Sequence, residues 1–85
     1  MEISFDPVKN ARNIELRGLS FEDFAGFDAD PVVLVDDRYD YGEVRYRAFG
    51  RIDGRGHCLV YTETTTGIRI ISFRRAREKE MRRYE

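Results

Sequence analysis

Glu43-Val44-Arg45-Tyr46-Arg47-Ala48-Phe49-Gly50-Arg51-Ile52 alternates with a period of two, and the fold is decided there. Val44, Tyr46, Ala48 and Ile52 fall on one side of an extended chain, and Arg45, Arg47, Phe49 and Arg51 on the other. Asp53-Gly54-Arg55-Gly56 is a turn signal, so His57 to Glu63 returns antiparallel as the second arm of a hairpin. Thr64 to Gly67 is a further turn, and Ile68 to Phe73 is a third long strand, apolar enough to sit centrally. Upstream, Val32 to Val35 is a strand that runs into the acidic turn Asp36-Asp37.

Before residue 28 the period is helical. Glu2 to Phe5 reads as a short strand, and Asp6-Pro7 opens a helix with Asp as N-cap and Pro at its first position. Val8, Ala11 and Ile14 recur at helical spacing until Gly18 ends the run. Ser20 and Asp23 form a capping box for a second, short helix whose Phe21, Phe24 and Ala25 share a face. Asp28 to Pro31 breaks it, and Arg74 to Tyr84 reads as a closing helix. The order predicts a single α+β domain over residues 1–85: an antiparallel four- to five-stranded sheet, two N-terminal helices and one C-terminal helix.

Composition sets the bounds. Eighty-five residues support one two-layer core, and 41% hydrophobic content with 13% aromatic is enough to fold it, which excludes a disordered chain. No apolar run approaches the roughly 18 residues of a membrane span, so no membrane partner is expected. The N-terminus has neither the basic nor the apolar region of a signal peptide, and a single cysteine, Cys58, fits a reducing compartment; a cytoplasmic location is expected.

The net charge of -1 conceals a gradient. Residues 1–37 carry nine acidic side chains against three basic ones, residues 38–73 four against six, and residues 74–85 three against six. Thirteen of the 15 basic residues are arginine, whose planar guanidinium binds phosphate bidentately and stacks on bases. The asymmetry suits a polyanion that meets one side only, or a surface that balances its own charges.

Three groups of residues could carry chemistry. Arg45, Arg47 and Arg51 with Phe49 form a basic strand face, either a solvated outer surface or a track for phosphates with an aromatic to stack a base. Arg69 lies in a run that reads as buried, so it needs a carboxylate, with Glu63 across the turn as the candidate, or a ligand phosphate. Arg74 and Arg75 would continue that clamp where strand becomes helix. The charges of the last helix otherwise read as exposed i, i+4 pairs. His57, the one histidine, is a turn residue or a general acid or base. His57 and Cys58, adjacent in sequence, cannot make a metal site, and no cofactor motif is present; none is expected.

Phe5-Asp6-Pro7-x-Lys9, then Asn13, Gly18 and Ser20-Phe21-Glu22-Asp23, resembles the opening of the BrnT toxins of bacterial type II toxin–antitoxin pairs. Ile68-Arg69-Ile70-Ile71-Ser72-x-Arg74-Arg75-Ala76, then Glu80, Arg83 and Tyr84, resembles their ending, with Gly50 where the family places its central hairpin. The resemblance implies a RelE-like fold and a ribonuclease that halts translation by cutting mRNA, on the ribosome or free of it. It also implies neutralisation by a cognate BrnA-type antitoxin, through which alone the pair would reach operator DNA. On motif position it assigns Arg69, Arg74, Arg75 and Tyr84 to catalysis. Leu16-Arg17-Gly18 stands where members usually have Lys-His-Gly, Phe73 where the residue is commonly small, and Arg77 where threonine is frequent. Cleavage without metal needs arginines as a cation clamp, Arg69 central with Arg74 and Arg75 flanking, and a proton donor and acceptor drawn from Tyr84, Glu63, Tyr61 and His57. A non-catalytic RNA-binding module, an inactivated toxin, or a protein-interaction domain are the alternatives.

Overall fold

The computed structural model describes residues 1–85. Five strands form one sheet in the order β1-β5-β4-β3-β2, with β1 at Glu2–Phe5, β2 at Val32–Val35, β3 at Tyr46–Ile52, β4 at Arg55–Glu63 and β5 at Gly67–Arg75. Helix α1 spans Pro7–Arg17 and α2 spans Glu78–Tyr84. No helix is long and apolar enough to cross a membrane.

The α+β class and the meander agree with the sequence reading; four details differ. The sheet is mixed, because β1 pairs parallel with β5 while the other pairs are antiparallel. The second N-terminal helix is a single 3₁₀ turn at Phe21–Asp23: its capping box forms, but Phe24 already leaves helical geometry to reach the core. The closing helix begins at Glu78 rather than Arg74, since Arg74 and Arg75 remain in β5, paired with Cys58 and His57. The strand predicted from Glu43 begins at Tyr46, because residues 37–44 lead away from the ladder as a loop closed by the Asp36 N–H to Arg45 carbonyl bond.

At the hairpin tip Asp53 (φ +52°) and Gly54 (φ +77°) are both left-handed, the geometry whose twist suits a two-residue connection. The Asp28 carboxylate accepts from both their backbone N–H groups, at 3.0 and 2.9 Å, so a residue that reads only as a helix breaker caps the tip.

Both faces of the sheet are covered. On the inner face Phe21, Phe24, Ala48, Leu59, Ile68, Ile70 and Phe73 form the larger core. On the outer face Phe49, Cys58, Ala76 and Met81 form a smaller one beneath α2. Gly56 is required there, because a Cβ would strike Met81 and the Ala76 carbonyl.

Helix α1 docks in an unexpected way. Its apolar residues Val8, Ala11 and Ile14, which sequence spacing assigns to the core, face solvent, and its buried residues are Asn10 and Asn13. β1 pairs with β5 only as far as Ile70, which leaves the β5 edge open beyond it. Asn13 closes that edge like a further strand: its Nδ2 donates to the Phe73 and Leu19 carbonyls, both at 2.8 Å, and its Oδ1 accepts from the Phe73 N–H at 3.3 Å. Asn10 Oδ1 likewise accepts from the Phe21 N–H at 2.8 Å. Asn13→Ala strands buried backbone groups and is expected to lower stability by about 2–3 kcal/mol. Ile14→Ala, at an exposed position, should change it by less than about 0.5 kcal/mol. Urea denaturation of the two variants checks this order.

Candidate functional site

The outer face is organised by a β-bulge. Tyr61 pairs with Ile70 but Val60 pairs with Ser72, so Ile71 has no opposite number and the phase of β5 shifts by one. Strict alternation would put Arg69 and Phe73 on one face and Arg74 on the other. With the bulge, Ile68, Ile70 and Phe73 share the inner core, and Arg69, opposite Thr62, comes onto the same face as Arg74, opposite Cys58. β3 adds Arg47, Phe49 and Arg51 to that face.

Two depressions meet there. One, of about 220 Å3, is lined by Arg17, Asp36, Arg38, Tyr41, Arg45, Arg47, Cys58, Val60, Ile71, Ser72 and Arg74. The other, of about 470 Å3, is lined by Arg17, Arg74, Arg75, Arg77, Lys79, Glu80 and Arg83. They share Arg17 and Arg74 and so form one groove, which gathers nine of the 15 basic side chains and only two of the 16 acidic ones. Arg17 reaches it because Asn13, one helical turn earlier, fixes α1 to β5.

Carboxylates inside the fold neutralise some of these cations. Glu80 grips Arg74 with two bonds of 2.9 Å, and Asp36 grips Arg38 at 2.7 and 2.8 Å. Glu43 is shared between Arg45, at 3.0 Å, and Arg69, at 2.8 Å. Arg47 has no such partner: its Nε is buried and makes no hydrogen bond, and its guanidinium lies 5.8 Å from the centre of the Phe49 ring. Arg17, Arg75, Arg77, Lys79 and Arg83 are also free of ion pairs. No three His, Cys, Asp or Glu side chains converge as a metal-ligand set would. Burial pushes the Cys58 thiol up, so it stays protonated.

The residues singled out in the sequence separate into groups. Arg45, Arg47, Arg74 and Arg75 line the groove. Arg51 does not: its guanidinium is held by Glu78 and Glu85 of the C-terminal segment, at 2.9 and 2.8 Å. Phe49, expected to be available to a base, is 1% exposed and stacks on Tyr84 at 4.2 Å between ring centres, so both rings hold α2 to the sheet. Arg69 is exposed rather than buried, and its partner is Glu43 rather than Glu63, because Glu63 lies opposite Ile68 on the inner face. Tyr61 packs against the inner core, and His57 is buried against Phe73 on that side. These proton-transfer candidates therefore lie across the sheet from the groove.

Several groove residues escape sequence reading. Arg17 sits in the acidic part of the chain, and Asp36, Arg38 and Tyr41 sit in what reads as a turn. Side-chain contacts within residues 36–45 join the last three: Asp36 holds Arg38, Tyr41 donates to Asp36 at 3.3 Å, and the Tyr41 ring lies 4.1 Å beneath the Arg45 guanidinium.

The two groove carboxylates carry a pH dependence. Arg38 holds the Asp36 carboxyl at about 2 against an ordinary 3.8, and Arg74 holds Glu80 at about 2 against 4.5. Depressed carboxyls stabilise the fold fully above their unfolded values and progressively less as pH falls toward the folded ones. Stability should therefore fall between about pH 4.5 and 2, and an Asp36→Asn/Glu80→Gln variant should show a shallower fall in urea titrations across that range.

No curated protein matches the chain. A family model described as the ribonuclease toxin BrnT of a type II toxin–antitoxin system matches residues 5–80, which include both asparagine clamps, the bulged strand and most of the groove. The chain therefore belongs to the BrnT family of ribonuclease toxins of type II toxin–antitoxin systems.

Proposed function

We propose that the chain is a bacterial toxin that cleaves RNA in the cytoplasm without a metal ion and so arrests translation. The observation that carries this reading is the groove, with nine cations, two carboxylates and Arg47 unpartnered at its floor. A phosphodiester strand lying there meets fixed guanidiniums that need not reorganise as negative charge builds on phosphorus. Arg74 and Arg75 flank the reacting phosphate, Arg47 contacts the strand from below, and Arg45 and Arg69 continue the cation track beyond Glu43. Of the proton-transfer candidates only Tyr84, stacked on Phe49, lies on this face of the sheet, and although its side chain lines neither depression it is assigned the proton donor. The attack is aligned by the clamp, and alignment supplies much of the rate. A BrnA-type antitoxin with an acidic segment covers the groove and carries the pair to operator DNA.

A second reading, a binding module without catalysis, is favoured by one observation. Arg17 occupies the position where members usually carry histidine, and it lines both depressions. A cation there strengthens phosphate binding and removes a proton carrier.

Incubation of total RNA with the purified chain in EDTA, without ribosomes, is expected to yield cleavage. A folded Arg47→Ala/Arg74→Ala variant should cut at least about 100-fold more slowly, since each lost transition-state contact is worth about 1.4 kcal/mol or more. Equal cutting by the variant would refute the clamp. No cutting by the wild type, with no growth arrest on induction, would favour the binding module.

A further inference from the structure

A third depression, of about 430 Å3, lies on the inner side of the same end of the sheet, lined by Leu19, Ile52, Asp53, Arg55, His57 and Arg75. His57 is 6% exposed, with its ring stacked 5.5 Å from that of Phe73. Its Nδ1 lies 2.7 Å from the Arg55 carbonyl oxygen. A carbonyl can only accept, so Nδ1 carries the hydrogen, and in the neutral ring Nε2 carries the lone pair. No group of the protein donates to Nε2. Arg55 and Arg75 are free of ion pairs, and Asp53 is the one carboxylate in the lining.

The depression thus combines a bare hydrogen-bond acceptor with two unpaired guanidiniums. A phosphate alone would suit the cations and repel the lone pair. A hydroxyl alone would suit the acceptor and leave the cations unmet. A ribose 2′-hydroxyl beside its own 3′-phosphate offers both groups in one ligand. We propose that Arg55, His57 and Arg75 form a ribose–phosphate subsite, in which the 2′-hydroxyl donates to His57 Nε2 and the adjacent phosphate binds Arg55 and Arg75. Arg75 also lines the larger basic depression, so a strand in the groove reaches this subsite around the end of β5. The inference rests on the groove being an RNA track and adds what the groove lacks. Cations meet the phosphates of RNA and DNA alike, whereas an acceptor for the 2′-hydroxyl tells them apart.

His57 is the one histidine in the chain, so labelling with 15N-histidine gives a single imidazole in a long-range 1H–15N spectrum. The probe is adenosine 3′-monophosphate, which has the hydroxyl and the phosphate but no leaving group to be cut. It should shift the Nε2 resonance saturably. 2′-Deoxyadenosine 3′-monophosphate should do so about tenfold more weakly, as expected for the loss of one hydrogen bond. Arg55→Ala should abolish the response, and Arg82→Ala, whose side chain lines none of the three depressions, should leave it intact. His57→Phe keeps a ring on Phe73 without the acceptor, and by ligand-detected saturation transfer it should bind both nucleotides alike. An Nε2 resonance that the ribonucleotide leaves unmoved, or that both nucleotides move at equal concentration, overturns the subsite; so does a ribose preference surviving in His57→Phe. Failure of the groove reading would look different: single-stranded RNA would then show no salt-dependent binding, whatever the mononucleotides do.

Discussion

The Asn13 carboxamide is the contact on which the rest of the architecture depends. A parallel β1 covers the β5 edge only to Ile70, and the open stretch that follows would otherwise present unpaired backbone to a partly buried surface. Asn13 answers with a donor and an acceptor in the spacing of a peptide group, both directed at Phe73. The helix is thereby fixed in rotation as well as in place. Its apolar residues turn outward, and Arg17 comes to rest beside Arg74 and Arg75. A greasy helix face could slide or rotate on the sheet; a bidentate amide has one seat.

The second constraint is the bulge at Ile71. One unmatched residue lets a single strand present Ile68, Ile70 and Phe73 inward and Arg69 and Arg74 outward, although they are not separated by even numbers. The outer face is then tied down at both ends by ion pairs. Arg51 holds the C-terminal segment through Glu78 and Glu85, while Glu43 draws the loop after β2 across β4 to Arg69. Most of these pairs are solvent-exposed and each contributes little stability. Their consequence is positional: they consume carboxylates at the margins and leave Arg17, Arg47 and Arg75 without an ion-pair partner.

The sequence makes the strands, the hairpin, the N-caps and the basic β3 face legible, because each is set by local period or turn chemistry. Residues 46–52, 55–63 and 67–75 are strands for the reasons their alternation and glycines suggest. What could not be read was phase and partnership. Nothing local in Ile68-Arg69-Ile70-Ile71-Ser72 marks the bulge, so the face that Arg74 occupies is hidden. The exposed side of α1 is hidden too, since Val8, Ala11 and Ile14 satisfy the helical template while two asparagines do the docking. Arg17 and Arg38 line the groove beside Cys58 and Arg74, residues far from them in the sequence. His57, by contrast, was visible as a residue but not as a buried ring with one free nitrogen.

The proposed function requires that a polyanion be held by the groove rather than by the chain's arginines at large. The most direct measurement is the salt dependence of single-stranded RNA binding by fluorescence anisotropy. It would compare the wild type with Arg47→Ala/Arg74→Ala and with Arg82→Ala, whose side chain lines neither depression. Each phosphate contact contributes about 0.7 to the slope of log affinity against log salt for single strands. The slope should be shallower by roughly 1.4 in the double variant and unchanged in Arg82→Ala. Equal losses per arginine removed, wherever it lies, would contradict this.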